Sequence, residues 1–297
     1  MTIAISIKIN DGLVLATDSA STLIGQFPDG QLHVLNVYNH ANKLFNLRKG
    51  FPIGAITWGT GSIGQASIST IIKDLRQRFS SNDPQHKDWT LNKDGYTVEE
   101  VAKKLKEFVY DDLYKKAFPQ QKPSLGFIVA GFSANQPMAE EFQIDIQNGE
   151  CTGPRRLRNQ EDCGVTWAGE PEALNRFIMG YSPMITTLLQ QQLGIDPAQM
   201  NQAMSVVQAQ VQLPVVLPAM PLQDAIDVAR FMVELTVKFS RYRPGAPTVG
   251  GPIEIAAISK HEGFRWVERK YYFDRKLNPD EVYERVYEPT HKGAAKE

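Results

Sequence analysis

The 297-residue sequence is short of most features that announce a specialised protein class. It has two cysteines, Cys151 and Cys163, and no CxxC. Neither a disulfide framework nor a thiolate metal site is therefore expected, and the cytoplasm is the default compartment. The histidines His33, His40, His86, His261 and His291 fall in no HxxxH or HExxH spacing, so no metal is expected. Charge is balanced, with a formal net charge of −1. That excludes bulk attraction to nucleic acid or to an anionic membrane. No apolar run reaches the roughly 18 residues of a membrane span, and the opening MTIAISIKIN lacks the basic segment of a secretory signal. What is present is 42% hydrophobic and 22% charged residues, enough apolar material for a sizeable core.

Periodicity orders the chain. Thr2, Ala4, Ser6 and Lys8 alternate with Ile3, Ile5, Ile7 and Ile9, which predicts a strand with one apolar face. Asn10-Asp11-Gly12 is a hairpin turn, and 13–18 reads as the returning strand. Gly25, Pro28 and Gly30 predict a loop, with a short strand over 31–38. Residues 43–48 and 52–58 flank Lys49-Gly50 as a second hairpin. An amphipathic helix then ends near Phe79, and 80–95 reads as a loop around Asp83-Pro84. Thr97 with Glu100 makes a capping box ahead of Val98, Val101, Leu105, Phe108 and Val109 at helical spacing. Strands are predicted over 125–132, 140–146 and 164–168, and helices over 171–180 and 184–213. PVVLPAMP breaks the latter, and an amphipathic helix begins at Leu222. A last hairpin turns at Glu262-Gly263. The order of elements predicts an α+β fold: two antiparallel sheets stacked in a four-layer αββα sandwich with helices outside. One domain is expected over 2–270, followed by a charged tail over 271–297.

The chemical signal lies at the start. Removal of Met1 by an aminopeptidase, which acts before small residues, would leave Thr2 with a free α-amine beside its own hydroxyl. Such an amine has a pKa of about 7.7–8.0 and can serve as a base near neutrality. The threonine hydroxyl needs such a base to become a nucleophile. A hairpin turning at Asn10-Asp11-Gly12 brings Asp18 back near Thr2, and Lys43 heads a following strand. An ammonium there would lower the pKa of the amine, and the aspartate would orient the ammonium. Taken singly, each is ordinary: a common Met-Thr start, a turn-capping carboxylate, a surface lysine.

Together, the threonine start, TDSAST, NKLF and AITWGTGSIG resemble the proteasome β-subunit superfamily, which includes bacterial ATP-dependent peptidase subunits and ancestral-β-subunit-like proteases. Weaker likeness continues through VAGFSANQPMAEEFQIDIQNG, TWAGEP and VGGPIEIAAIS, over roughly 2–268, with insertions near 24–40, 80–97 and 184–220. The resemblance implies an N-terminal-nucleophile hydrolase fold. It implies Thr2 as nucleophile of a threonine endopeptidase, Asp18 as support for the lysine, and Lys43 as the group tuning the amine. It assigns Thr22 to backbone pairing with a substrate strand. An oxyanion-binding N–H is implied near Ala55-Ile56, or at Gly54 with a one-residue shift. Trp58 is placed at the primary side-chain pocket, where it would favour small residues.

The sequence departs from the family at Glu170, Ala246 and Val249, which stand where polar partners of the amine are implied. Glu170 is a candidate replacement acceptor, or simply a helix-start glutamate. Implied partners are peptides or unfolded proteins, copies of the chain in a ring or stacked rings, and an ATPase unfoldase. The alternatives are a catalytically inactive structural subunit and an amidase acting on small amides. Gly59, Gly61 and Gly64 are spaced like a dinucleotide fingerprint, but no βαβ unit surrounds them, so no nucleotide cofactor is expected. The Met- and Gln-rich stretch 184–213 reads as an oligomer contact or a lid.

Overall fold

A computed structural model describes residues 2–26, 32–80, 84–120 and 122–274. The tail beyond 274, the turn expected at Pro28 and Gly30, and Asp83 lie outside these residues. The strands are β1 (Ile3–Ile9), β2 (Gly12–Thr17), β3 (Ser21–Gln26), β4 (Leu32–Tyr38), β5 (Leu44–Asn46), β6 (Ile53–Gly59), β7 (Ser62–Ile63) and β8 (Ala66–Ser67). They continue with β9 (Leu125–Phe132), β10 (Ala139–Gln147), β11 (Glu150–Arg156), β12 (Gly164–Gly169), β13 (Glu254–Ser259) and β14 (Gly263–Glu268). The helices are α1 (Ile68–Ser80), α2 (Val98–Lys106), α3 (Glu172–Leu174), α4 (Met184–Leu193), α5 (Pro197–Val211) and α6 (Leu222–Tyr242). A widened π-type stretch, Glu107–Tyr114, prolongs α2.

The expected architecture of two sheets in a four-layer αββα sandwich is corrected. The described residues form four antiparallel sheets: β12-β1-β2-β13-β14, β11-β10-β9-β6-β5, β3-β4 and β7-β8. The reason is local. At Gly25, where a loop was expected ahead of a short strand over 31–38, β3 pairs with β4 as a separate ribbon that leaves Leu23, Ile24, Leu35 and Tyr38 exposed. The helices are not uniform covers either. Within α4 and α5 only Met200 is buried, so this pair stands apart from the main core.

Three apolar clusters hold the described chain together. Ile71, Ile72, Leu75 and Phe79 of α1 recur at helical spacing and pack with Val98, Val101 and Leu105 of α2 against Phe127 and Val129. Ile3, Ile5, Ile7 and Ile9 meet Ala225, Ile226, Ala229, Met232 and Val233 of α6. Ala4, Leu13 and Leu15 meet Ile56, Ile128 and Ala130 between the five-stranded sheets. Strand β1 is thus buried on both faces, although alternation predicts one. Its polar residues are satisfied internally. Ser6 donates to Glu141 Oε1 at 2.6 Å, and Arg158 donates to the other oxygen of that carboxylate at 2.6 Å. Lys8 donates to the carbonyls of Asn159 and Gln160 at 3.0 and 2.7 Å. Unpaired, such buried charges would cost several kcal/mol each.

Candidate active site

The β1–β2 hairpin pairs Ala4 with Thr17, so the residue before β1 and the residue after β2 lie at the same sheet end. Those residues are Thr2 and Asp18. The Asp18 carboxylate is fully buried and is gripped on both oxygens. Oδ1 accepts from the Ile3 N–H at 3.1 Å and from Lys43 Nζ at 2.8 Å. Oδ2 accepts from the N–H groups of Ala20 and Gly250, each at 3.0 Å. Lys43 is nearly buried, and its carbonyl accepts from the Thr57 N–H at 3.0 Å, which ties it to β6. Burial pushes the Lys43 ammonium below its ordinary pKa, and Asp18 pulls it back up. Lys270 adds to the lowering and Glu254 opposes it.

Thr2 is held by its carbonyl, which accepts from the Glu170 N–H at 2.7 Å. Gly169 permits this approach. Its φ is +98°, and a Cβ there would run into the Thr2 carbonyl oxygen. Thr2 and Lys43 line one cavity of about 1100 Å³, together with Thr22, Thr57, Trp58 and Gly59. Its volume is just above the range of about 300–1,000 Å³ usual for small-molecule pockets.

The other expected residues are distributed unevenly. Thr22 lines the cavity from β3, with one edge already paired to Val37 of β4. Trp58 lines it too, its indole packed over Gly126. Ile56 is fully buried between the sheets and is flanked by Leu44 and Ile128. Gly54 and Ala55 sit in the same double-sided ladder. From the end of this strand and the residues after it, Thr57 through Gly61 line the cavity. Glu170 contributes its N–H to Thr2, but its carboxylate pairs with Arg243 at 3.0 Å. Ala246 is exposed, and Val249 is buried against the apolar face of the first sheet.

Sequence reasoning missed a second ion pair near Asp18. Lys270 Nζ lies 2.6 Å from Glu254 Oε2 and donates to Ser19 Oγ at 2.8 Å. Nothing local announces it, because Ser19 and Lys270 are 251 residues apart. Among the described residues no group of three or more His, Cys, Asp or Glu is arranged to hold a metal. No helix among them is long and apolar enough to cross a membrane.

No protein-family model matches the chain, and no curated protein does. Solved structures do. The chain is similar to the Anbu (Gly-1) mutant from Hyphomicrobium sp. strain MC1, with a TM-score of 0.52, 18% identity, and coverage of 91% of this chain and 86% of that one. Anbu (ancestral beta-subunit) from Yersinia bercovieri aligns with a TM-score of 0.46 and 13% identity over 89% and 86% of the two chains. The first of these likenesses shows the fold. It also corrects the family resemblance: the solved structure that carries this likeness is an Anbu protein and not a canonical proteasome β subunit.

Proposed function

We propose that this protein is a threonine-type peptidase of proteasome-like, Anbu-like form, with Thr2 as nucleophile after loss of Met1. The observation that carries the reading is the buried Asp18–Lys43 pair, whose lysine lines the same cavity as Thr2. In the proposed reaction the freed α-amine takes the proton of the Thr2 hydroxyl as Oγ1 attacks a peptide carbonyl. The same amine then protonates the departing amine as the C–N bond breaks. Water, deprotonated by the α-amine, hydrolyses the resulting ester and restores Thr2. A charged Lys43 favours the neutral, basic form of the amine, and Asp18 holds Lys43 in place.

The proposal extends to substrate and assembly. The cavity volume favours peptide or unfolded-protein substrates over small amides. Trp58 on its wall favours small side chains. The exposed apolar residues Leu23, Ile24 and Leu35 of the β3–β4 ribbon, with Met184 and Leu188 of α4, suit contacts between copies in a ring. One observation favours the alternative of an inactive structural subunit: one oxygen of the Glu170 carboxylate is already paired with Arg243, and Ala246 and Val249 supply no polar side chain for the amine.

Intact mass of the purified protein and peptide cleavage by a Thr2→Ala variant separate the readings. Loss of Met1 with cleavage abolished by the substitution supports the peptidase. Retained Met1, or undiminished cleavage by the variant, overturns it.

A further inference from the structure

The proposed chemistry leaves unused a buried ion pair beside Asp18. Lys270 follows β14 and pairs with Glu254, which opens β13 opposite Thr17. Both side chains are largely buried, at 10% and 2% exposure. Between them and the Asp18–Lys43 pair stands Ser19. Its Oγ accepts from Lys270 and donates to the Pro252 carbonyl at 2.6 Å. Its N–H donates to the Gly250 carbonyl at 2.9 Å, and its own carbonyl accepts from the Ala41 N–H at 2.9 Å. Gly250 is also the donor to Asp18 Oδ2, and Ala41 lies two residues before Lys43 in the chain. Ser19 is therefore the joint of the three segments that hold Asp18 and Lys43, and Lys270 is bonded to that joint.

We infer that Lys270 and Glu254 are positioning residues for the Thr2 centre, acting through Ser19 and through the field they impose on the Asp18–Lys43 pair. The inference rests on the reading of Thr2 as nucleophile. The charged groups facing one another are Asp18 after β2, Lys43 before β5, Glu254 of β13, and Lys270 and Arg269 after β14. Lys73 and His40 line the adjoining cavity. Lys270 and Glu254 act in opposite directions at Lys43, the first lowering and the second raising its hold on a proton. Lys270 itself is pushed below its ordinary pKa by burial, with Glu254 opposing.

These opposite signs make a prediction. Without the Lys270 charge, Glu254 becomes a second unopposed carboxylate, and the protons on Lys43 and on the Thr2 amine are held more firmly. Without the Glu254 charge, Lys270 becomes a second unopposed ammonium, and both are held less firmly. The amine must be neutral and Lys43 charged, so activity rises and falls with pH around these two groups.

The experiment measures the rate of Thr2 labelling by a β-lactone, read by intact mass, across pH for wild type, Lys270→Met, Glu254→Gln and the double variant. The expected result for Lys270→Met is both limbs of the profile moved to higher pH by about half a unit or more. For Glu254→Gln, which keeps the side-chain shape, both limbs move to lower pH. The double variant falls between the two single-variant profiles, and Lys270→Arg leaves the wild-type profile in place. Single-variant profiles that do not move, or that move in the same direction, overturn the inference while Thr2 stands. A wild type unlabelled at every pH overturns the Thr2 reading, and the inference falls with it.

Discussion

Replacing Asp18 with asparagine removes one charge and almost no volume, so its effect reports on the ion pair at the centre of the site. The carboxylate accepts from Ile3 N, Lys43 Nζ, Ala20 N and Gly250 N. An amide offers one acceptor oxygen and turns an NH₂ toward the remaining donors. Whichever way it rotates, one oxygen's pair of donors is lost, and Lys43 is left buried without its counter-ion. Truncating one partner of a buried pair in this way costs about 3–5 kcal/mol. The loss should also depend on pH. Burial already holds the Lys43 pKa below its ordinary value, and Asp18 is the largest opposing influence. In the variant that pKa falls further, whereas the unfolded lysine titrates near 10.4. Between the folded and unfolded values the unfolded chain binds more protons, so stability rises with pH in that window as Lys43 becomes neutral in the folded state. The deficit of Asp18→Asn relative to wild type should therefore be greatest near pH 7 and smaller near pH 10. Urea unfolding of both proteins at the two pH values, at matched concentration, measures it. A deficit under about 1 kcal/mol near neutrality, or one that grows toward high pH, would refute the reasoning.

Three further predictions concern the surroundings. Gly169→Ala strains a residue at φ +98° and drives a Cβ against the Thr2 carbonyl oxygen, so it should lower β-lactone labelling of Thr2 at least about 10-fold, a loss of about 1.4 kcal/mol; unchanged labelling contradicts this. Arg158→Met strands the fully buried Glu141 carboxylate between the sheets and should cost about 3–5 kcal/mol, which a urea midpoint shift will show. Thr97→Ala removes the acceptor for the Glu100 N–H at 3.0 Å and should cost about 1 kcal/mol, with no effect on labelling.

How much was legible from sequence follows from where each signal lies. Thr2 and Asp18 were readable because a single tight hairpin links them, and hairpin register follows from its turn. The helical faces of α1, α2 and α6 were readable because their apolar spacing needs no knowledge of the partner. The capping box was half right: Thr97 accepts from the Glu100 N–H, but the Glu100 side chain turns away to Lys104 at 2.8 Å. What failed was long-range. The exposed β3–β4 ribbon carries no core-facing pattern that would mark it as a strand pair. The double burial of β1 was hidden because Ser6 and Lys8 look solvent-facing until Glu141 and the carbonyls of Asn159 and Gln160 are brought opposite them. Glu170 had no visible partner in sequence, and Arg243, 73 positions away, supplies one. The oxyanion register expected near Ile56 falls on a central strand of the second sheet. Both neighbours of Ile56 are already strands, and the residues that line the cavity begin at Thr57.

The most direct test is to treat the purified protein with a peptide epoxyketone, which reacts with a hydroxyl and an amine on the same residue, and to map the adduct by tandem mass spectrometry. The expected result is a chain lacking Met1 with the adduct on Thr2, absent from the Thr2→Ala variant. A chain that retains Met1, or an adduct on any other residue, would contradict the assignment of Thr2 as nucleophile.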